Sequence, residues 1–435
     1  MFKTNRIVKS IAAILLVACI GFTVVSAWYN WSSTARYNAV IQQRRAAGLP
    51  VELFDLQTSP VSEGKDAAAK LVAVADDLKL LRSRISEIVP DGNLLNRYLT
   101  NDEIIQLAPL WVEQQDLIAQ LIDISKLPSF FIRLPDNPRF ETVFDQSISL
   151  QLNSAANAAD ILRTKGASLF AEKKLSESFD CLLASLAMGQ LMLQAPTSDG
   201  FIYSAKETTL SLKTLNAILQ QSALSPTEHQ ELLAQLGRIE PFVVYKKTLQ
   251  ADAAAYTTGL LEQEGALSWL NRGRLYSALI YQYQMYDNYV RDAEMDFTTW
   301  DDKYGAMDYP FSWNPFVNVV NLNHANCVAY RTLAERIDIL KRSIIILSTL
   351  QQNLSSGSSQ IELENLGLND QLMRDPYSGK TLLLQAVDQE GWKIYSVGSN
   401  RKDDGGNFEN FADYGIGPYL PAEPTEPPAS DNSEL

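Results

Sequence analysis

Apolar residues recur at three- and four-residue intervals through most of this chain. Between Lys65 and Val89, Leu71, Val74, Leu78, Leu81, Ile85 and Ile88 fall on one helical face. The same period continues over 141–165, 167–193, 205–221, 241–264, 269–297 and 316–353, predicting a succession of helices. Two local signals fix helix starts. Thr100-Asn101-Asp102-Glu103 reads as a capping box, in which the hydroxyl accepts from an orphan amide and the Glu reaches back; it opens a helix to about Ser125. Ser225-Pro226-Thr227-Glu228 repeats the device, with proline at the first helical position, where no hydrogen bond is lost. Pro128, Pro135 and Pro138 mark the clear break among the early helices. No strand-like alternation precedes residue 380. The fold class is therefore mainly α, a helical bundle or array.

The texture changes after Ser355-Ser356-Gly357-Ser358-Ser359, which reads as a flexible hinge. Residues 380–387 and 392–397 are strand candidates joined by Asp388-Gln389-Glu390-Gly391, predicting a small C-terminal β-hairpin cap. The closing PAEPTEPPASDNSEL, with four prolines and four acids, disfavours packing. The expected organisation is a stub and anchor (1–31), a juxtamembrane linker (32–62), an all-α domain (63–353), a linker (354–360), a β cap (361–420) and an acidic tail (421–435).

The anchor is read from the N-terminus. Lys3, Arg6 and Lys9 precede Ser10 to Ala27, 18 residues without a charge, and Trp28, Tyr29 and Trp31 follow. At 1.5 Å per residue this run rises about 27 Å, close to a hydrocarbon core of about 30 Å, and aromatic rings favour the headgroup boundary. Residues 10–27 thus predict a single span of a cytoplasmic membrane. The three leading cations, against Arg36 alone in the next 15 residues, place the N-terminus inside and the body in the periplasm or outside. Val25-Ser26-Ala27 also fits a signal-peptidase site, and Leu16-Val17-Ala18-Cys19 a lipobox, although the chain stays apolar after Cys19. Gly21-Phe22-Thr23-Val24 is not a prepilin site, because the apolar run mostly precedes the glycine.

Composition narrows the function. Of 435 residues, 37 are Lys or Arg and 51 Asp or Glu, for a net charge of −14. That balance argues against nucleic acid, whose phosphates need a basic face. Two histidines leave little for His-rich metal sites, and His324-Ala325-Asn326-Cys327 has no second pair to complete a tetrahedron. His229, in the polar start of its helix, is expected to be solvated. Cys181 and Cys327 sit in amphipathic segments as small buried hydrophobes, and export would also permit a disulfide between them. Ser378-Gly379-Lys380-Thr381 mimics a P-loop, but Arg374 stands where the first glycine belongs and no helix follows.

Two stretches carry candidate chemistry. Asp375-Pro376-Tyr377-Ser378-Gly379-Lys380, then Gly391-Trp392-Lys393-Ile394-Tyr395-Ser396-Val397-Gly398, then Asp403-Asp404-Gly405-Gly406 resembles the end of the major pseudopilins of type II secretion. That family shows a DP-x-G-x-P turn, a hairpin, a YSLG-like strand end and a calcium-binding Gly/Asp loop. The resemblance implies calcium ligation by backbone or amide oxygens of Val397 and Asn400 and carboxylates of Asp403 and Asp404, with Asp413 standing in for the family's closing acidic run. Arg401 and Lys402 depart from the pattern. The pilin body is absent, so the segment looks like a borrowed cap rather than a filament subunit. The second stretch, 292–316, interleaves Trp300, Tyr304 and Trp313 with Asp301 and Asp302, a surface suited to a glycan or protein partner. The segment around Gly166, with Leu169, Ser178, Leu182 and Ser185, loosely resembles a tetratricopeptide hairpin; with no recurring period, an ordinary αα-hairpin is the better description.

No nucleophile, metal or dinucleotide motif occurs. The expectation is a bacterial, membrane-anchored, extracytoplasmic protein that is not an enzyme and serves a structural or interaction role. Two alternatives remain: an accessory of a secretion or pilus-type machine with a calcium-binding loop, and a glycan-binding or glycan-hydrolysing protein using 292–316.

Overall fold

A computed structural model describes the chain except residues 1, 57–63, 91–97, 133, 135–137, 142–145, 196, 268, 306–311, 356–361, 388–390, 409–411 and 419–435. Most of the Ser/Gly hinge, three residues of the hairpin loop, Asp308, Tyr309, Phe311 and the acidic tail lie outside the described residues. The protein is mainly helical, with one long apolar N-terminal helix and a three-stranded antiparallel sheet near the C-terminus.

Helix α1 runs from Phe2 to Ala46 without interruption. Residues 32–46, expected as linker, continue the same helix because Tyr37 and Ile41 find a partner to pack on. That partner is α11 (Trp269–Arg291). Arg44 donates to both carboxylate oxygens of Asp287, at 2.5 and 2.7 Å, and lies over the Tyr283 ring. Gly273 lets the two helices meet: a Cβ there would come within 2.3 Å of Asn30 Oδ1.

The predicted helix over 65–89 is broken into α2 (Ala67–Ala73) and α3 (Ala75–Ile88) at Val74. The Thr100 capping box forms as expected and opens α4 (Asn101–Glu113), but Gln114 separates it from α5 (Gln115–Ser125). Neither break carries Gly or Pro. Helices α6 (Gln146–Ala171) and α7 (Leu175–Met192) make the expected αα-hairpin, with its turn at Lys173 (φ 63°) rather than at Gly166. Gly166 lies inside α6, where its carbonyl accepts from Ser178 Oγ at 2.7 Å. Helices α8 (Ser198–Gln221), α9 (Pro226–Gly237, with the Ser225 capping box) and α10 (Pro241–Glu262) follow. Short α12 (Phe297–Tyr304) precedes α13 (Pro315–Ser355), 41 residues and so about 60 Å long.

Strands β1 (Leu383–Val387), β2 (Gly391–Ser396) and β3 (Tyr414–Ile416) form the sheet in that order, with Leu383 opposite Tyr395 and Ile394 opposite Ile416. The third strand is an addition to the expected hairpin. The sheet is built into the body, since Ile394 and Ile416 share a core with Leu347 and Leu350 of α13. Gln220 of α8 accepts from Trp392 N at 2.8 Å and donates to Trp392 O at 2.7 Å, like one more strand residue. Gly391, at φ 130°, is required there, because a Cβ would meet Gln220 Oε1 at 2.3 Å.

Candidate functional sites

The pseudopilin-like motifs converge in space. Asp375, 1% exposed, receives Tyr377 N and Ser396 Oγ on one oxygen and Ser378 Oγ and Val397 N on the other. Its carboxylate therefore staples the DPYSGK turn to the end of β2, and Ser378 serves that turn rather than a phosphate. The Gly/Asp loop is held in the same way. Asp413, fully buried, takes backbone amides of Asp404, Gly406 and Asn407 on Oδ2. Asp403 accepts from Tyr395 OH and Gly405 N, and Asn400 donates to Asp404 at 2.7 Å. Val397, nearly buried, adds its amide to the Asp375 network. Among the described residues, no three acidic, His or Cys side chains gather as a metal group. One buried oxygen is left over, Oδ1 of Asp413, which has no hydrogen-bond partner. A cation would satisfy it, and burial already raises this carboxyl above its ordinary range.

The aromatic-acidic stretch divides. Trp300 and Tyr304, expected on a binding surface, are buried, at 0% and 3% exposure, among Tyr289, Phe297 and the Arg331 guanidinium. They are core because their rings pack on Tyr289 of α11 and Trp300 lies under Arg331 of α13, and a glycan has no access to them. Asp292 receives Arg291, Lys303 and Tyr304, and these donors hold its carboxyl well below the usual range. Asp301 and Asp302 face Arg401 of the cap, at 3.0 and 3.7 Å. The cation that departs from the calcium pattern is thus the tie between cap and bundle. Among the described rings of the stretch, Trp313 alone is fully exposed, at 93%.

The cysteines are unbonded and buried in separate places, Cys181 on α7 and Cys327 on α13, so the disulfide is absent. Burial pushes the Cys181 thiol up to about 12 and raises that of Cys327 well above its ordinary range, which removes thiolate chemistry. His324 meets the Tyr289 hydroxyl, and His229, expected to be solvated, is half-buried with Nδ1 2.6 Å from Ser348 Oγ.

A polar pocket of about 350 Å³ between α3, α6 and α8 was not foreseen. Asp160 sits between Arg82 and Arg163, one carboxylate facing two guanidiniums. Asn157 and Tyr203 add an amide and a phenol. Glu207, 2% exposed, has Lys206 at 3.7 Å and feels the charges of Arg163 and Asp160. Its Oε2 and the Nε of Arg163 are buried without partners. Burial pushes the Glu207 carboxyl up to about 7, so it exchanges a proton near neutrality. The available sequence signal was the stripe Asn153, Asn157, Asp160, Thr164, polar residues at four- and three-residue spacing in an Ala-rich helix. A second charged cleft, around Arg331, Glu335 and Arg342, is occupied by its own chain: Arg342 donates to the carbonyls of Gln371 and Arg374, and Arg331 to Met295 O and Glu335.

The fold and these sites define a helical protein with one span-length apolar helix and a small β cap. Comparison with known proteins finds no match among family descriptions, curated sequences or solved structures.

Proposed function

We propose that this chain is a single-span, extracytoplasmic protein with its N-terminus in the cytoplasm, serving a structural or interaction role at the cell envelope. The observation that carries this is the division of α1. Its apolar residues from Ile14 to Val25 are bare, at 56–68% exposure for Ile14, Leu16, Ile20 and Val25, while Tyr37 and Ile41 of the same helix are core. A bare apolar stretch of this length asks for lipid. Because the helix does not break between the two halves, the body is held at a fixed attitude rather than tethered. Carbonate extraction of membranes should leave the full-length chain in the pellet, and protease added to spheroplasts should digest the body. A soluble product beginning at Trp28 would sink the anchor.

A second role is favoured by the orphaned Glu207 and Arg163 atoms. The orphaned carboxyl and guanidinium atoms, with Asn157 and Tyr203 beside them, offer both acceptors and donors, so the ligand the pocket suits is hydroxyl-rich: a saccharide unit. This moves the glycan proposal from 292–316 to α3, α6 and α8. Saturation-transfer NMR of the detergent-solubilised protein with chitotriose, maltotriose and cellotriose should show contact with at least one, lost in Asn157→Ala. Silence from all three in the wild type ends the proposal.

A further inference from the structure

We infer that the bilayer that takes α1 also takes Trp313, two residues ahead of α13: its ring enters the headgroup layer at the level of Trp28 and Trp31, and Arg272 and Arg274 meet anionic headgroups there. This rests on the anchored reading of α1 and adds a second, independent point of contact.

The argument is one of level. Gly273 N donates to Asn30 Oδ1 at 2.6 Å, so the start of α11 lies beside Asn30. Fourteen residues further along each helix, Arg44 meets Asp287. Equal advances along both chains mean that α1 and α11 run side by side in the same direction. Helix α13 joins them in the same way. Asn314 Nδ2 donates to Arg274 O at 2.8 Å, and seven residues on, Tyr281 OH donates to Asn321 Oδ1 at 3.0 Å. Three helices therefore rise from one plane, marked by Asn30, Gly273 and Asn314.

The residues next to that plane are those a membrane boundary selects. Trp31 adjoins Asn30 and is 71% exposed; Trp313 adjoins Asn314 and is 93% exposed; Trp28, one turn lower, is 61% exposed. Indole favours the headgroup boundary, with its apolar face toward the chains and its N–H toward water. Arg272 and Arg274 are exposed on the first turn of α11, and Arg36 is exposed about 8 Å above Trp31. Glu264 is the acid nearest Arg272, at 4.0 Å, and it is engaged by Tyr276 OH. Trp313 thus stands at the level where the bare surface of α1 ends, with cations beside it. Lipid is the occupant because the exposed ring lies at the height where the span ends.

Helix α13 carries the consequence. Ser343, whose hydroxyl reaches the Ile394 carbonyl of β2, is 29 residues from Asn314. At 1.5 Å per residue the foot holds the cap about 44 Å from the membrane surface.

The test uses full-length protein labelled with 5-fluorotryptophan, in nanodiscs doped with a gadolinium-chelating lipid. Trp28→Phe, Trp31→Phe, Trp300→Phe and Trp313→Phe identify the ¹⁹F resonances. The expected result is severe broadening of Trp28, Trp31 and Trp313, with Trp300 unchanged. Broadening of Trp28 and Trp31 without Trp313 overturns the inference while the anchor stands. No broadening at any of the three overturns the anchor itself. The Trp313 signal should broaden more with phosphatidylglycerol than with phosphatidylcholine alone, a difference removed by Arg272→Gln plus Arg274→Gln. Equal broadening in both lipids overturns the part assigned to the arginines.

Discussion

Trp300 and Trp313 lie in one stretch of sequence and have opposite fates. The first is enclosed by Tyr289, Phe297, Tyr304 and Arg331; the second touches almost nothing in its own chain. Around Trp300, rings that suggested a binding surface fill the space between α11, α12 and α13, while Asp301 and Asp302 stay at the surface against Arg401. Around Trp313, the exposed ring sits at the foot of those same helices, where α1 ends its bare half. The contrast shows that aromatic density in a sequence marks a place to bury rings as readily as a place to bind ligands. Only the neighbouring helices decide which.

Substitution separates the two regions most sharply. Trp300→Ala should lower unfolding free energy by about 3–5 kcal/mol, since it removes a fully buried ring and leaves a cavity. Trp313→Ala should change it by less than about 0.5 kcal/mol in detergent. Comparable losses in thermal melts of both variants would erase the distinction. Gly273→Val attacks the join between the regions, because the new side chain would strike Asn30. A cost of about 1–3 kcal/mol is expected, with melting of the body becoming independent of α1. A wild-type melting curve would mean that the two helices are not in close contact.

The acids of the buried region set a pH dependence that the foot lacks. Burial pushes Glu207, Asp252 and Glu335 up to about 7 each. For Glu335 it outweighs the 2.7 Å ion pair with Arg331. The folded state then binds protons more tightly than the unfolded chain, so stability is fullest below about pH 4 and falls as pH rises toward 7. Each group contributes at most about 1.4 kcal/mol per pH unit. Burial lowers His229 and His324, which act with the opposite sign, so the test is by difference: Glu207→Gln should flatten its share of the slope, and a pH profile unchanged by that substitution would contradict the assignment. The smallest effect concerns the cap. If a cation completes Asp413, calcium at ten times its dissociation constant should add about 1.4 kcal/mol, read as a higher melting temperature and absent in Asp403→Ala plus Asp404→Ala. No rise in the wild type removes the calcium implication of the pseudopilin-like segment.

Local signals were legible. The Thr100 and Ser225 boxes join residues three apart, so the sequence contains every atom of the interaction. The apolar run of α1 and the β1–β2 pair are also local in this sense. What lay hidden joins distant residues. Arg401 and Asp301 are 100 positions apart, and β3 is three residues that become a strand only against Ile394 and Tyr395. The breaks at Val74 and Gln114 follow the packing of short helices around α6 and carry no Gly or Pro to announce them.

From its sequence alone this chain is mainly helical, carries one apolar run long enough for a bilayer, and has a small β-hairpin toward its C-terminal side. Periodicity, capping and hydrophobic length act within a few turns of backbone and need no partner. The tertiary structure decided that α1 continues into the core, that Trp300 is interior, and that Asp160, Arg163 and Glu207 share one pocket. It also decided that three helices rise from one plane. Those outcomes depend on which faces meet across hundreds of residues, and the energy of such contacts is absent until the chain has folded.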